Sequence, residues 1–131
     1  MYRLRVEDYF DAAHFLRGYK GKCSNLHGHT WKVEVFIIGR ELDKTGMVID
    51  FGILKKALKK VLDEFDHKCI NEHSNFDGKV HDVNPTAENL SVYIKNCLFN
   101  KLCNISTYKT GRACVEKVRV WESPKAYCEY D

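Results

Sequence analysis

The chain has 131 residues, 44% of them hydrophobic and 30% charged, with a net charge of +3. That describes one domain, residues 1–131, with enough apolar material for a real core, and it excludes a disordered chain. The mild positive charge suits an anionic small molecule and is too weak to argue for nucleic acid. No run reaches the ~18 apolar residues of a membrane span. The opening Met1-Tyr2-Arg3-Leu4-Arg5 lacks a signal-peptide core, which predicts a cytoplasmic protein.

Tyr2, Leu4 and Val6 alternate with Arg3, Arg5 and Glu7, the signature of a half-buried strand. The even phase continues through Phe10 and Ala12 to His14, so an unbroken strand puts His14 on the apolar face; a bulge at Asp8 would change that. Residues 17–26 read as a loop. A second strand follows, from about His29 to Arg40, rich in β-branched and aromatic residues. Asp43-Lys44-Thr45-Gly46 is turn chemistry. Asp50 is an N-cap for an amphipathic helix of about four turns whose apolar stripe is Phe51, Leu54, Leu58, Val61, Leu62 and Phe65. Its lysines, Lys55, Lys56, Lys59 and Lys60, fall largely off that stripe and read as a solvated face.

Asp66-His67 stands where this helix ends, and residues 71–84 form a long polar loop, a type of segment that is often functional. Thr86 is an N-cap for a second helix with Leu90, Tyr93, Ile94, Cys97 and Leu98 buried, and Glu88 in its first turn. Val118 and Val120 alternate with Lys117 and Arg119 in a third strand, which brings Glu122 onto the valine face. Ser123-Pro124 breaks it, and Ala126 to Tyr130 is a last strand. The order ββααββ predicts an α+β fold, a four-stranded antiparallel sheet with two helices on one face. Its open edges predict oligomerisation through the strands.

The chemistry gathers in Cys23-Ser24-Asn25-Leu26-His27-Gly28-His29. Residues two apart in a strand share a face, so His27 and His29 project together, roughly 6.5–7 Å apart at the backbone. If the first two strands form an antiparallel hairpin, His14 is a third imidazole. Three His with an open position is the pattern of catalytic zinc, although zinc is only the default among several divalent metals. Each His also reads as an ordinary core or surface residue when taken singly. Cys23 can be a base or nucleophile, a fourth ligand, or an inert thiol. Asp66 and His67 are a candidate acid–base pair, although adjacent residues need not face each other. Glu122, a carboxylate on an apolar strand face, needs a partner, and a ligand offering two N–H donors would suit it. His73 and His81 read as solvated or as loop anchors. The six cysteines include no Cys-x-x-Cys pair, which argues against both a disulfide framework and a Cys-rich zinc site.

Ala12-Ala13-His14, Cys23-x-x-x-His27-Gly28-His29, Gly46-Met47-Val48-Ile49-Asp50-Phe51, Asp66-His67-Lys68, Pro85-Thr86-Ala87-Glu88-Asn89 and Glu122 together resemble the 6-pyruvoyltetrahydropterin synthase / 6-carboxytetrahydropterin synthase family. The likeness spans nearly the whole chain, and its specificity lies in the joint order of the motifs. It implies the tunnelling fold (T-fold), with sheets joined into a barrel in a homohexamer of two trimers and active sites between subunits. It implies Zn2+ on His14, His27 and His29, Cys23 as general base, and Asp66 with His67 as a proton relay. Glu122 would anchor the pterin ring, with Thr86 in the same pocket. The implied substrate is 7,8-dihydroneopterin triphosphate. The three-residue spacing between Cys23 and His27 resembles the carboxy branch, which releases acetaldehyde and triphosphate and serves queuosine biosynthesis; animal-type pyruvoyl synthases carry a longer insertion there. A folate-serving branch has Glu near the position of Cys23. The alternatives are a 6-pyruvoyltetrahydropterin synthase, told apart by its product, and a metal- or pterin-binding protein without chemistry, in which Cys23→Ala would have no kinetic effect. Lys20, Lys22 and Arg112 are candidates for holding triphosphate by charge alone.

Overall fold

The structure, a computed structural model, describes residues 1–80 and 82–131. His81, read from the sequence as a loop residue, lies outside the described residues, as does the side chain of Ser106. Strand β1 (Tyr2–His14) runs unbroken. Val6, Phe10, Ala12 and His14 are buried on its even phase. Asp8 introduces no bulge: the antiparallel register with β2 (His27–Gly39) holds from Tyr2 opposite Gly39 to His14 opposite His27. On β2 the inward phase is Trp31, Val33, Val35 and Ile37, all fully buried.

β4 (Ala113–Ser123) pairs antiparallel with β2, and β5 (Ala126–Tyr130) with β4. Two irregularities in β4 matter. Phe36 lies opposite Lys117 but Ile37 opposite Val115, so Glu116 is an extra residue and the inward phase changes from Val115 to Val118 and Val120. Trp121 lies opposite Tyr127 but Ser123 opposite Ala126, so Glu122 is a second bulged residue. The sheet has one strand more than the alternation suggests. Its order is β3-β1-β2-β4-β5, where β3 (Lys68–Cys69) adds to β1 in parallel at Ala12 and Ala13. Two residues are too short to show a period, which is why the sequence does not announce them.

Helix α1 (Phe51–Leu62) begins at Asp50, whose Oδ1 accepts the Gly52 N–H at 2.6 Å. Leu54, Ala57, Leu58, Val61 and Leu62 are buried. Phe51, assigned to that stripe, is half exposed because it precedes the first turn that packs; Phe65 is buried beyond the helix end. Helix α2 (Ala87–Leu102) begins at Thr86, whose Oγ1 accepts the Asn89 N–H at 3.2 Å. A short α3 (Ser106–Lys109) follows. α1 packs on β1, and α2 on β4, β5 and α1, so one sheet face is covered by helices. All six cysteines are free.

Candidate active site

At one end of the sheet β1 finishes, β2 begins and α2 begins. His14, His27 and His29 meet there. His14 pairs directly with His27 across the ladder, and His29 pairs with Ala12. The rings stand 4.6 Å (His14–His27), 4.8 Å (His27–His29) and 5.1 Å (His14–His29) apart between centroids. One donor atom from each, together with a Glu122 carboxylate oxygen, lies within 4.8 Å of all the others. Trp31 forms the floor: its ring meets His14 and His29 edge-on, and its Nε1–H donates to the Ala12 carbonyl at 3.3 Å.

The ring orientations are set from outside the cluster. His14 Nδ1–H donates to the Pro85 carbonyl at 2.7 Å, and His27 Nδ1–H to the Asn25 carbonyl at 2.7 Å. Each contact leaves Nε2 with its lone pair turned into the cluster. His14 Nε2 and His29 Nε2 are buried and make no hydrogen bond. Glu122 Oε1 stands 3.2 Å from His29 Nε2 without hydrogen-bond geometry. Burial pushes the His14 and His29 imidazoles below their ordinary pKa, which favours the neutral form that binds metal. Buried nitrogen atoms with no partner normally demand an explanation. A zinc ion, which His14, His27 and His29 would hold, fits that arrangement.

Glu122 reaches this cluster through its bulge. The β2–β4 ladder ends at Lys32 opposite Trp121, so the start of β2 and the end of β4 diverge. A hollow of about 580 Å³ opens between them, bounded by Tyr9, Lys32, Trp121 and Glu122. A second hollow, about 680 Å³, lies on the β1–β3 side and is bounded by Asp11, Thr30, His67, Lys68 and Glu72. Both include Gly28, His29 and Thr30. A Cβ at Gly28 would meet only the Ala12 carbonyl, at 3.8 Å, so the glycine borders open space.

Asp66 and His67 do face each other: His67 Nδ1 stands 3.0 Å from Asp66 Oδ2. Asp66 Oδ1 accepts the Asp11 N–H at 2.9 Å. The Asp11 N–H, followed by the His67 hydrogen bond, holds the Asp66 carboxyl below its usual range, and Asp66 raises the His67 imidazole. Cys23 lies in a one-turn 3-10 helix, Lys22–Ser24, and is half-buried. Its backbone carbonyl accepts the Leu16 N–H at 2.9 Å. The fourth side chain of the imidazole cluster is Glu122, not Cys23. Thr86 is one residue past the carbonyl that orients His14, and Ala87, Glu88 and Glu122 border a smaller hollow beside it. His73 is a loop anchor, packed on Phe65, Phe76 and Tyr93.

Two acids emerge that the sequence reading passes over. Asp11 sits on the exposed phase of β1, where a solvated carboxylate is the ordinary reading. Glu34 is 4% exposed although it lies on the helix-free face. It accepts from Arg5 at 2.5 Å, Trp121 Nε1 at 2.7 Å and Arg119 at 3.2 Å. An acid placed within the apolar run from Val33 to Ile37 was the available signal.

The sequence matches the family described as 6-pyruvoyl tetrahydropterin synthase over residues 3–131. A 6-carboxy-5,6,7,8-tetrahydropterin synthase of Haemophilus influenzae is 38% identical, with 99% of each chain covered. The protein of that name from Bacillus subtilis is 35% identical over 98% of this chain and 84% of its own. Among solved structures, the 6-pyruvoyl tetrahydropterin synthase of Caenorhabditis elegans superposes with a TM-score of 0.76 at 31% identity, covering 99% of this chain and 94% of that one. With a match of this extent and a T-fold architecture, the chain belongs to the 6-pyruvoyl tetrahydropterin synthase family.

Proposed function

We propose that this chain is a 6-carboxy-5,6,7,8-tetrahydropterin synthase, a zinc-dependent carbon–carbon lyase. It takes 7,8-dihydroneopterin triphosphate and water to 6-carboxytetrahydropterin, acetaldehyde and triphosphate, in the cytoplasm, for queuosine biosynthesis. The observation that carries this reading is the convergence of His14, His27 and His29 with two buried Nε2 atoms lacking a partner, in a chain whose curated relatives carry that name. Zinc held there by His14, His27 and His29 would supply Lewis acidity toward the substrate. Cys23, as thiolate, takes a proton from the substrate's side chain. His67 moves a proton on the other side of the side chain, held in one tautomer by Asp66. Glu122 accepts the two N–H groups of the pterin edge, with Thr86 in the same pocket. The working form is a homohexamer of two trimers, with sheets joined into barrels and each site completed by a neighbouring subunit.

The test is product mass analysis with dihydroneopterin triphosphate, with and without a chelator. Acetaldehyde and 6-carboxytetrahydropterin, lost on chelation, are the expected result. The name carried by the C. elegans structure favours a second reading, a 6-pyruvoyl tetrahydropterin synthase, and pyruvoyltetrahydropterin as sole product would select it. Intact substrate with zinc-loaded protein would leave only metal or pterin binding.

A further inference from the structure

Asp11 touches the Asp66-His67 dipeptide at three levels. Its N–H donates to Asp66 Oδ1 at 2.9 Å. Its carbonyl accepts the His67 N–H at 2.6 Å. One oxygen of its carboxylate, one of the Asp66 carboxylate and one nitrogen of the His67 ring lie within 4.8 Å of one another. Thr30, directly opposite on β2, donates its hydroxyl to Asp11 Oδ1 at 2.5 Å and so fixes the side chain. The grip has something to hold. His67 has φ = 59°, a left-handed backbone that a non-glycine residue keeps only where its surroundings hold it there.

We propose that Asp11 is a positioning residue for His67: its backbone holds the Asp66-His67 turn, and its carboxylate, fixed by Thr30, sets a second negative charge beside the imidazole. This rests on the reading of His67 as part of the relay. Asp66 acts on the ring first, through its hydrogen bond and charge, and the Asp11 charge acts in the same direction. Lys68 and Cys69 of β3, Glu72 and His29 border the same hollow as His67. Lys59 of α1 acts on Asp66 rather than on the imidazole. Two carboxylates, those of Asp66 and Asp11, thus act on His67, while Cys23 carries the opposite task of accepting a proton.

The experiment is an NMR titration of the His67 ring, assigned with His67→Gln, in the metal-loaded wild type, Asp11→Asn and Thr30→Val. Asp11→Asn keeps both backbone contacts and an acceptor for Thr30, so it removes charge alone. A unit charge just inside 4.8 Å in water moves a midpoint by about 0.6 pH unit at low ionic strength, and less as salt screens it. A downward move of that size in Asp11→Asn, smaller at high salt, with a partial move in Thr30→Val, is expected. An unmoved His67 midpoint in Asp11→Asn overturns the proposal. Turnover left intact by His67→Gln would instead reject the relay, whatever the titration shows.

Discussion

At the scale of single residues, Glu122 shows how an irregular backbone serves chemistry. A regular ladder would continue to pair it; the skipped position frees it to lean toward His29. With no hydrogen bond to His29, the carboxylate would be free to accept a ligand's N–H groups. Glu122→Gln keeps size and one acceptor but loses charge and one accepting oxygen. It should raise KM and lower kcat/KM about 10- to 100-fold, the worth of a charged hydrogen bond, while the zinc content measured by atomic absorption stays equal to wild type. Loss of zinc along with activity would show Glu122 to be a ligand instead.

At the scale of elements, two contacts couple secondary structure to the site. The N-cap at Thr86 fixes where α2 begins, and the preceding carbonyl, Pro85, orients His14. Thr86→Ala should cost about 1 kcal/mol in denaturant unfolding, and Thr86→Ser should restore it. Glu34 ties β1, β2 and β4 together on the helix-free face. Burial pushes its carboxyl up, but the Trp121 N–H and the Arg5 and Arg119 guanidinium groups outweigh that and hold it below the ordinary carboxylate range. Its contribution is therefore complete above the ordinary carboxylate pKa and is lost as pH falls through the depressed one. Glu34→Gln should lower unfolding free energy by about 1–3 kcal/mol near neutrality and flatten the acid limb of the stability–pH curve. An unchanged acid limb would rule the network out.

These elements also mark what local sequence can reveal. Period-two alternation carries His14 to the inward face of β1, and cap chemistry locates Asp50 and Thr86, because both signals are written within a few residues. Glu34 finds its partners 29, 85 and 87 positions away. The bulge at Glu122 and the pairing of β3 depend on which strand lies alongside. Asp11 acts on Asp66 and His67 through its backbone as well as its side chain, and backbone contacts leave no trace in residue type. The meeting of the three imidazoles was legible and much of their support was not, since support is non-local.

At the scale of the whole molecule, the imidazole cluster gathers the end of β1, the start of β2 and the segment before α2 at one place. His14 ends β1 and is tied to the segment that starts α2, while His27 and His29 open β2. A metal held by all three would cross-link these parts in the folded chain and find no preformed site in the unfolded one, so its binding adds directly to stability. At a free-metal concentration a hundred times the dissociation constant the gain is about 2.7 kcal/mol. For a domain of this size that corresponds to a rise of several degrees in Tm, about 5–10 °C. Chelation should lower Tm by that amount, and added zinc should restore it. His14→Ala should start from the lower Tm and show no response to chelator. The same samples should be followed by sedimentation, because the helix-free face carries Tyr9 and Tyr127, both half exposed, and assembly through it would make Tm depend on protein concentration. A chelator effect that persists when Tm is extrapolated to constant assembly state belongs to the metal. One that vanishes on that correction would mean that metal acts by holding the oligomer together, not by cross-linking β1, β2 and α2.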